Sequence, residues 1–248
     1  MRYPDAYDLK SFYNSIQGRI VRRIIRDKVL SLWPDTKALN ILGFGYAVPY
    51  LKPFLEGSER TANIMPSQLG VHHWPEGEEN LVTISAEHSI PLETNSVDRI
   101  IAVHTLEFLE TPNGTFEELW RVLKSNGRLI LIVPNRLGLW ARVDSSPFGQ
   151  GQPYSTKQVE SFLRDNLFVH ESTEGALFTP PFKTGFLFRA ADVFEKIGRT
   201  IFPALGGVQV IEVSKQIYAG KGRLATAKVK KKVVPVKPVP TRRDLLDS

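Results

Sequence analysis

Short apolar runs at residues 38–42, 61–65, 81–84, 99–103 and 128–133 alternate with segments whose apolar residues recur at helical spacing. A short strand that is apolar nearly throughout needs cover on both faces. A chain that returns through a helix after each strand lays those strands parallel. The alternation therefore predicts an α/β sandwich around a mostly parallel sheet. Two longer stretches, FVHESTEGALFTP and GGVQVIEVSKQIYAG, read as strands flanking a helix near residues 190–201. The second is expected to run antiparallel, next to the sheet edge.

The chain of 248 residues is 42% hydrophobic, enough for one sizeable core. It has no apolar run long enough to span a bilayer, so no membrane span is expected. The first residues, MRYPDAYDLK, lack the apolar centre of a secretory leader, and the cytoplasm is the expected compartment. The absence of cysteine excludes disulfides, thiolate metal sites and a cysteine nucleophile. The formal charge of +6 is unevenly spread: residues 219–248 hold nine of the 32 Lys/Arg and only two of the 26 Asp/Glu. The body before them is close to neutral, which argues against a nucleic-acid-binding face.

Three regions follow. Residues 1–36 form a cap, in which 7–33 read as one helix. Ile16, Ile20, Val21, Ile24, Ile25, Val29 and Leu32 make its apolar stripe and Arg19, Arg22, Arg23 and Arg26 its outer side, and Trp33-Pro34 stops it. Residues 37–220 form the main domain. Residues 221–248 are basic and proline-interrupted, have no aromatics, and are expected to be disordered. Within the main domain, GTFEELWRVLKSNG places Phe116, Leu119, Trp120 and Leu123 on one helical face, with Gly127 as the left-handed cap. YSTKQVESFLRDN opens with a capping box from Ser155 to Gln158. Between them, residues 134–154 are rich in Pro and Gly, and are either a lid over a site or an ordered connector. His72-His73-Trp74 lacks a third metal ligand and reads as a loop that packs its tryptophan.

The stretch ILGFGYAVPYL runs from an apolar strand into a glycine turn and a short helix. Gly43 and Gly45 allow a tight turn and close approach of a ligand to the backbone. Ala47 holds the third small position. A dinucleotide fold would offer an acidic residue at the end of the next strand for a ribose, but Met65 stands there.

The block ISAEHSIPLETNSVDRIIAVHTLEFLETPNGTFEELWRVLKSNGRLILIVPNR resembles the middle of class I S-adenosylmethionine-dependent methyltransferases of the type 11-like group. Ser85-Ala86-Glu87, Ile90-Pro91, Val97-Asp98, His104-Thr105-Leu106-Glu107 and Arg121-Val122-Leu123-Lys124 carry the likeness, which spans about residues 38–135 and extends to about 218 through the last two strands. The segments LGFGYAVPYL, SVDRIIAVHTLE and SSPFGQGQPYS are similar to those of one bacterial group within the family.

The resemblance implies a Rossmann-like sandwich: a mostly parallel seven-stranded sheet with an antiparallel strand near the C-terminus. It implies S-adenosyl-L-methionine as cofactor, with Gly43, Gly45 and Ala47 at its methionine end and ribose, Met65 near the adenosine, and Ser85, Ala86 and Glu87 beside the adenine. Where the family usually sets carboxylates, this chain has Met65 and Ser85. His104 and Glu107 are the candidate catalytic pair, with His104 as general base. The expected acceptor is a small or medium-sized molecule, partly apolar, walled by Trp140, Phe148 and Tyr154. The alternative is a catalytically silent methyltransferase fold serving as an interaction module.

Overall fold

The computed structural model describes residues 3–181 and 190–217. The disordered tail expected at 221–248 lies outside them. Seven strands form one sheet: β1 (Asn40–Gly45), β2 (Arg60–Pro66), β3 (Val82–Ser85), β4 (Val97–Val103), β5 (Leu123–Pro134), β6 (Val169–Ala176) and β7 (Val208–Ser214), in the order β3-β2-β1-β4-β5-β7-β6. β1 to β5 pair parallel, while β7 pairs antiparallel with both β5 and β6. This is the expected class I methyltransferase architecture, including the antiparallel strand beside the edge.

The period of two along each strand divides the core. Ile41, Met65, Ile101, Val103, Ile130, Ile132 and Val210 face one side, under α1 (Ala6–Asn14), α2 (Ile16–Leu32) and α3 (Val48–Leu51). Leu42, Phe44, Ile64, Ile100, Ala102, Leu131 and Ile211 face the other, under α4 (Pro112–Val122) and α6 (Thr156–Asp165). The central strands β1, β4 and β5 are largely apolar because both their faces are covered, whereas the edge strands β3 and β6 are partly open.

The N-terminal helix differs from expectation: it breaks at Ser15 into α1 and α2. Ser15 is extended, donates its hydroxyl to the Phe12 carbonyl at 2.6 Å, and accepts the Gly18 N–H at 3.0 Å. A Cβ at Gly18 would collide with the Phe12 carbonyl, so glycine permits the fold-back. With the break, Ile16 becomes exposed and α1 is freed to cross the carboxyl ends of β1 and β2, where the Ala6 N–H donates to the Leu69 carbonyl at 2.9 Å. α2 is held to the sheet by Lys28–Glu174 and by the Trp33 indole on Glu212 at 2.8 Å.

A second difference is local. α4 ends at Val122, and near the start of β5 it is Asn126, not Gly127, that lies in the left-handed region, at φ 63°. Gly127 is needed for space instead: a Cβ there would lie 2.7 Å from Leu123 Cγ. Residues 134–154 are an ordered connector containing a helical turn at Trp140–Arg142 and the short helix α5 (Pro147–Gln150). Trp140 donates its indole N–H to the Thr179 carbonyl at 2.7 Å, and the Ser155–Gln158 capping box starts α6 as expected.

Candidate active site

β1 and β4 are neighbours, so Gly43–Ala47 and His104–Glu107 meet at the carboxyl ends of the sheet. Gly45 has φ 73°, and its Cβ position is filled by the Val103 carbonyl and the Thr105 hydroxyl. The Gly43 Cβ position is filled by the Asn63 carboxamide and by Leu51. Both glycines are thus demanded by the protein's own packing. The Tyr46 N–H is committed to the Val103 carbonyl at 2.9 Å, and the Gly45 carbonyl accepts from Asn63 Nδ2 at 3.1 Å. Asn63 Oδ1 is buried without a partner.

His104 adopts φ 50°, an uncommon left-handed value for a non-glycine residue, and its ring turns inward with no exposed surface. Nδ1 lies 3.2 Å from Glu107 Oε1 and Nε2 lies 2.9 Å from the Tyr13 hydroxyl on α1. Glu107 Oε2 accepts the Thr105 N–H at 3.1 Å, and the Tyr50 hydroxyl donates to Tyr13 at 2.9 Å. One proton arrangement satisfies the whole chain. Tyr50 donates to Tyr13, Tyr13 to Nε2, and the Nδ1–H to Glu107, because a carboxylate requires a donor opposite it. Phe148 lies against the imidazole at 4.9 Å between centroids. Burial, above all, raises the phenol pKa values of Tyr13, Tyr46 and Tyr50.

Tyr13 also stacks on Tyr46 at 5.7 Å and 17°, and the Tyr46 hydroxyl meets His72 Nε2 at 3.1 Å. Met65 and Ala47 are fully buried in the same cluster. The residues expected beside the adenine are more open. The Ser85 hydroxyl is turned back on the Ser89 carbonyl at 2.5 Å, Ala86 is exposed, and Glu87 is half-buried beneath Tyr3, whose phenol pKa rises through burial and then the Glu87 charge. Of the residues expected to wall the acceptor, Phe148 touches His104, Trp140 packs on Phe148 at 6.0 Å, and the Tyr154 hydroxyl reaches the Leu106 carbonyl at 3.4 Å.

Sequence reasoning missed Tyr13, Tyr50 and Asn63, and it read His72 only as part of a loop that packs Trp74. Asn63 had a signal, as a polar residue inside an apolar strand. The others are ordinary positions whose role depends on the tertiary contact. With α1 in this position, the space beside Gly43–Ala47 is closed. α1 fills the space with Tyr13, the Tyr46 N–H and the Gly45 carbonyl are committed, and no carboxylate stands at Met65. Two clefts lie elsewhere. One of about 420 Å³ runs between Asp8, Phe12 and Ser15 on one side and Ser145, Pro147 and Gln150 on the other. The second, of about 240 Å³, lies among Asn135, Thr156, Phe178, Arg199, Ala204 and Gln209. No group of three or more potential metal-ligating side chains occurs among the described residues.

Residues 42–131 match a methyltransferase domain family. No curated protein matches the sequence. A possible histamine N-methyltransferase from Thermotoga maritima superposes with a TM-score of 0.58 at 17% identity, over 84% of this chain and 94% of that one. A putative methyltransferase bound to the Trm112 activator from Haloferax volcanii gives 0.59 at 14% identity, over 85% and 98%. The [4+2]-cyclase SpnF gives 0.56 at 16% identity, over 88% and 98%. At these identities the likeness is one of fold. The matched block resembles a methyltransferase domain and the fold is that of class I S-adenosylmethionine-dependent methyltransferases, a likeness that implies S-adenosyl-L-methionine as cofactor.

Proposed function

We propose that the chain is a methyltransferase acting, in the cytoplasm, on a small or medium-sized acceptor. His104 takes the acceptor's proton, and Glu107 holds the imidazole tautomer and stabilises its protonated form. The observation that carries the reading is the position of the Tyr13 hydroxyl, 2.9 Å from Nε2. It stands where an acceptor O–H or N–H would stand, within the matched block's own glycine turn and histidine. In this reading Gly43, Gly45, Ala47 and Met65 bound the methionine and ribose side of the cofactor space, and Ser85, Ala86 and Glu87 the adenine side. α1 must withdraw from both. The 420 Å³ cleft supports an acceptor of modest size, because its Phe12 wall packs on Phe148, the ring that covers His104. Phe148 and Phe12 exclude water from the imidazole.

The test is incubation with methyl-labelled S-adenosylmethionine and pooled small-molecule extracts. Label transfer by the wild type, lowered about a hundredfold in His104→Gln with cofactor affinity kept, supports the reading. No transfer to any fraction, despite cofactor binding, favours the second reading of a silent fold. One observation favours that alternative: the closed Tyr50–Tyr13–His104–Glu107 chain leaves the histidine no free valence. The fold alone does not choose, since one structural neighbour is named a cyclase.

A further inference from the structure

Helix α7 (Ala191–Ile201) turns more apolar surface outward than inward. Its inward positions are Ala191, Phe194, Glu195 and Gly198, of which Phe194 alone is a large apolar side chain, half-buried. Glu195 accepts the Thr179 N–H at 3.0 Å and the Thr179 hydroxyl at 3.1 Å. Its outward positions include Val193, Ile197 and Ile201, one helical turn apart on a single stripe. With Phe202 and Leu205 these side chains are 48% to 61% exposed.

The patch continues onto the loop after β5. Asn135 donates to the Ala204 and Gly206 carbonyls, both at 2.8 Å, and on that loop Leu137 and Leu139 are about half exposed. Lys196, Arg199 and Arg136 are exposed around it. The exposed acid on the helix, Asp192, is held by Arg23 at 2.9 Å. An apolar centre with a cationic border is complementary to an anionic bilayer surface, where aliphatic side chains enter the headgroup boundary and Lys and Arg meet lipid phosphates. A protein partner would leave the cations to be matched one by one; a lipid surface matches them at any register.

We propose that α7, with the 202–205 turn and the 137–139 loop, docks the protein on the surface of an anionic membrane. The docking is peripheral: among the described residues no helix is long and apolar enough to cross a bilayer. The patch lies at the carboxyl end of β5, the end of the sheet that also carries His104. The basic 219–248 segment adds a second, sequence-independent attraction.

The test uses the full chain, so that this segment is constant, in co-sedimentation with phosphatidylcholine vesicles containing about 30% phosphatidylglycerol. The wild type is expected in the pellet, more weakly with pure phosphatidylcholine. Ile197→Asp combined with Ile201→Asp is expected to lower the partition coefficient about tenfold or more. Ile201→Trp is expected to keep the affinity and to give emission that shifts to the blue when vesicles are added. Three results overturn the proposal: a wild type that stays in the supernatant, a double-Asp variant that binds as well as the wild type, or a homodimer in solution that the double substitution dissociates. None of these readings depends on methyl transfer, so failure here leaves the activity assay standing.

Discussion

The Tyr13 hydroxyl lies 2.9 Å from Nε2 of His104, a hydrogen bond between residues 91 apart in sequence. It ties the N-terminal helix to the candidate base and makes the two inseparable in this conformation. Whatever uses His104 must first displace Tyr13.

Tyr13→Phe removes the hydroxyl that satisfies His104 and accepts from Tyr50. Two buried groups lose a partner, so the expected loss is about 1–3 kcal/mol, or roughly 3–10 °C in melting temperature for a domain of this size. Calorimetric melting checks it. A shift under about one degree would mean that the contact is loose in solution.

Gly45→Ala is expected to destabilise by about 2 kcal/mol or more, because alanine resists φ 73° and its Cβ meets the β4 backbone. Denaturant unfolding measures this. A stable Gly45→Ala protein that lost only ligand binding would restore the ligand-approach role for this glycine.

Alkaline titration tests the buried tyrosines. Burial raises the folded-state values of Tyr13, Tyr46 and Tyr50, so the unfolded chain releases these protons first once pH passes about 10. Their contribution is complete below that value and is lost as pH climbs above it. Phenolate absorbance from these residues is expected to appear together with unfolding. Smooth titration of all tyrosines near pH 10 with native circular dichroism would contradict the packing.

Glu118 fixes the 88–94 loop. It accepts from the Ile90 N–H at 2.9 Å and from Arg121 at 2.7 Å, while Arg121 reaches the Ile90 and Leu92 carbonyls. The Arg121 hydrogen bond, chiefly, lowers its pKa. A lowered carboxylate contributes stability above its unfolded value, near 4.5, and loses it as pH falls through the folded value. Glu118→Gln is expected to be less stable at neutral pH and to show a flatter stability profile below about pH 5. Parallel profiles for the two proteins would contradict it.

The α/β sandwich was legible because strands covered on both faces must be apolar on both, and the central strands β1, β4 and β5 largely are. The meeting of Gly45 with His104 was legible too, since the resemblance fixed the strands that carry them. What stayed hidden depends on contacts rather than pattern. The break at Ser15 is invisible to periodicity, because α1 and α2 continue one apolar repeat across it. Gly45 looks the same in sequence whether its missing side chain admits a ligand or the Val103 carbonyl. Tyr13 gave no sign of its role, since its partner arrives from β4.

The central claim, a cofactor site beneath α1, is tested most directly by calorimetric titration of S-adenosylhomocysteine into the wild type and Tyr13→Ala. A helix that must withdraw before binding lowers the apparent affinity by the fraction of open protein, and loosening it returns that fraction. The account predicts that the wild type binds and that Tyr13→Ala, still folded by circular dichroism, binds several-fold more tightly. No heat from either protein at about millimolar ligand, a level that detects binding weaker than −5 kcal/mol, would contradict it.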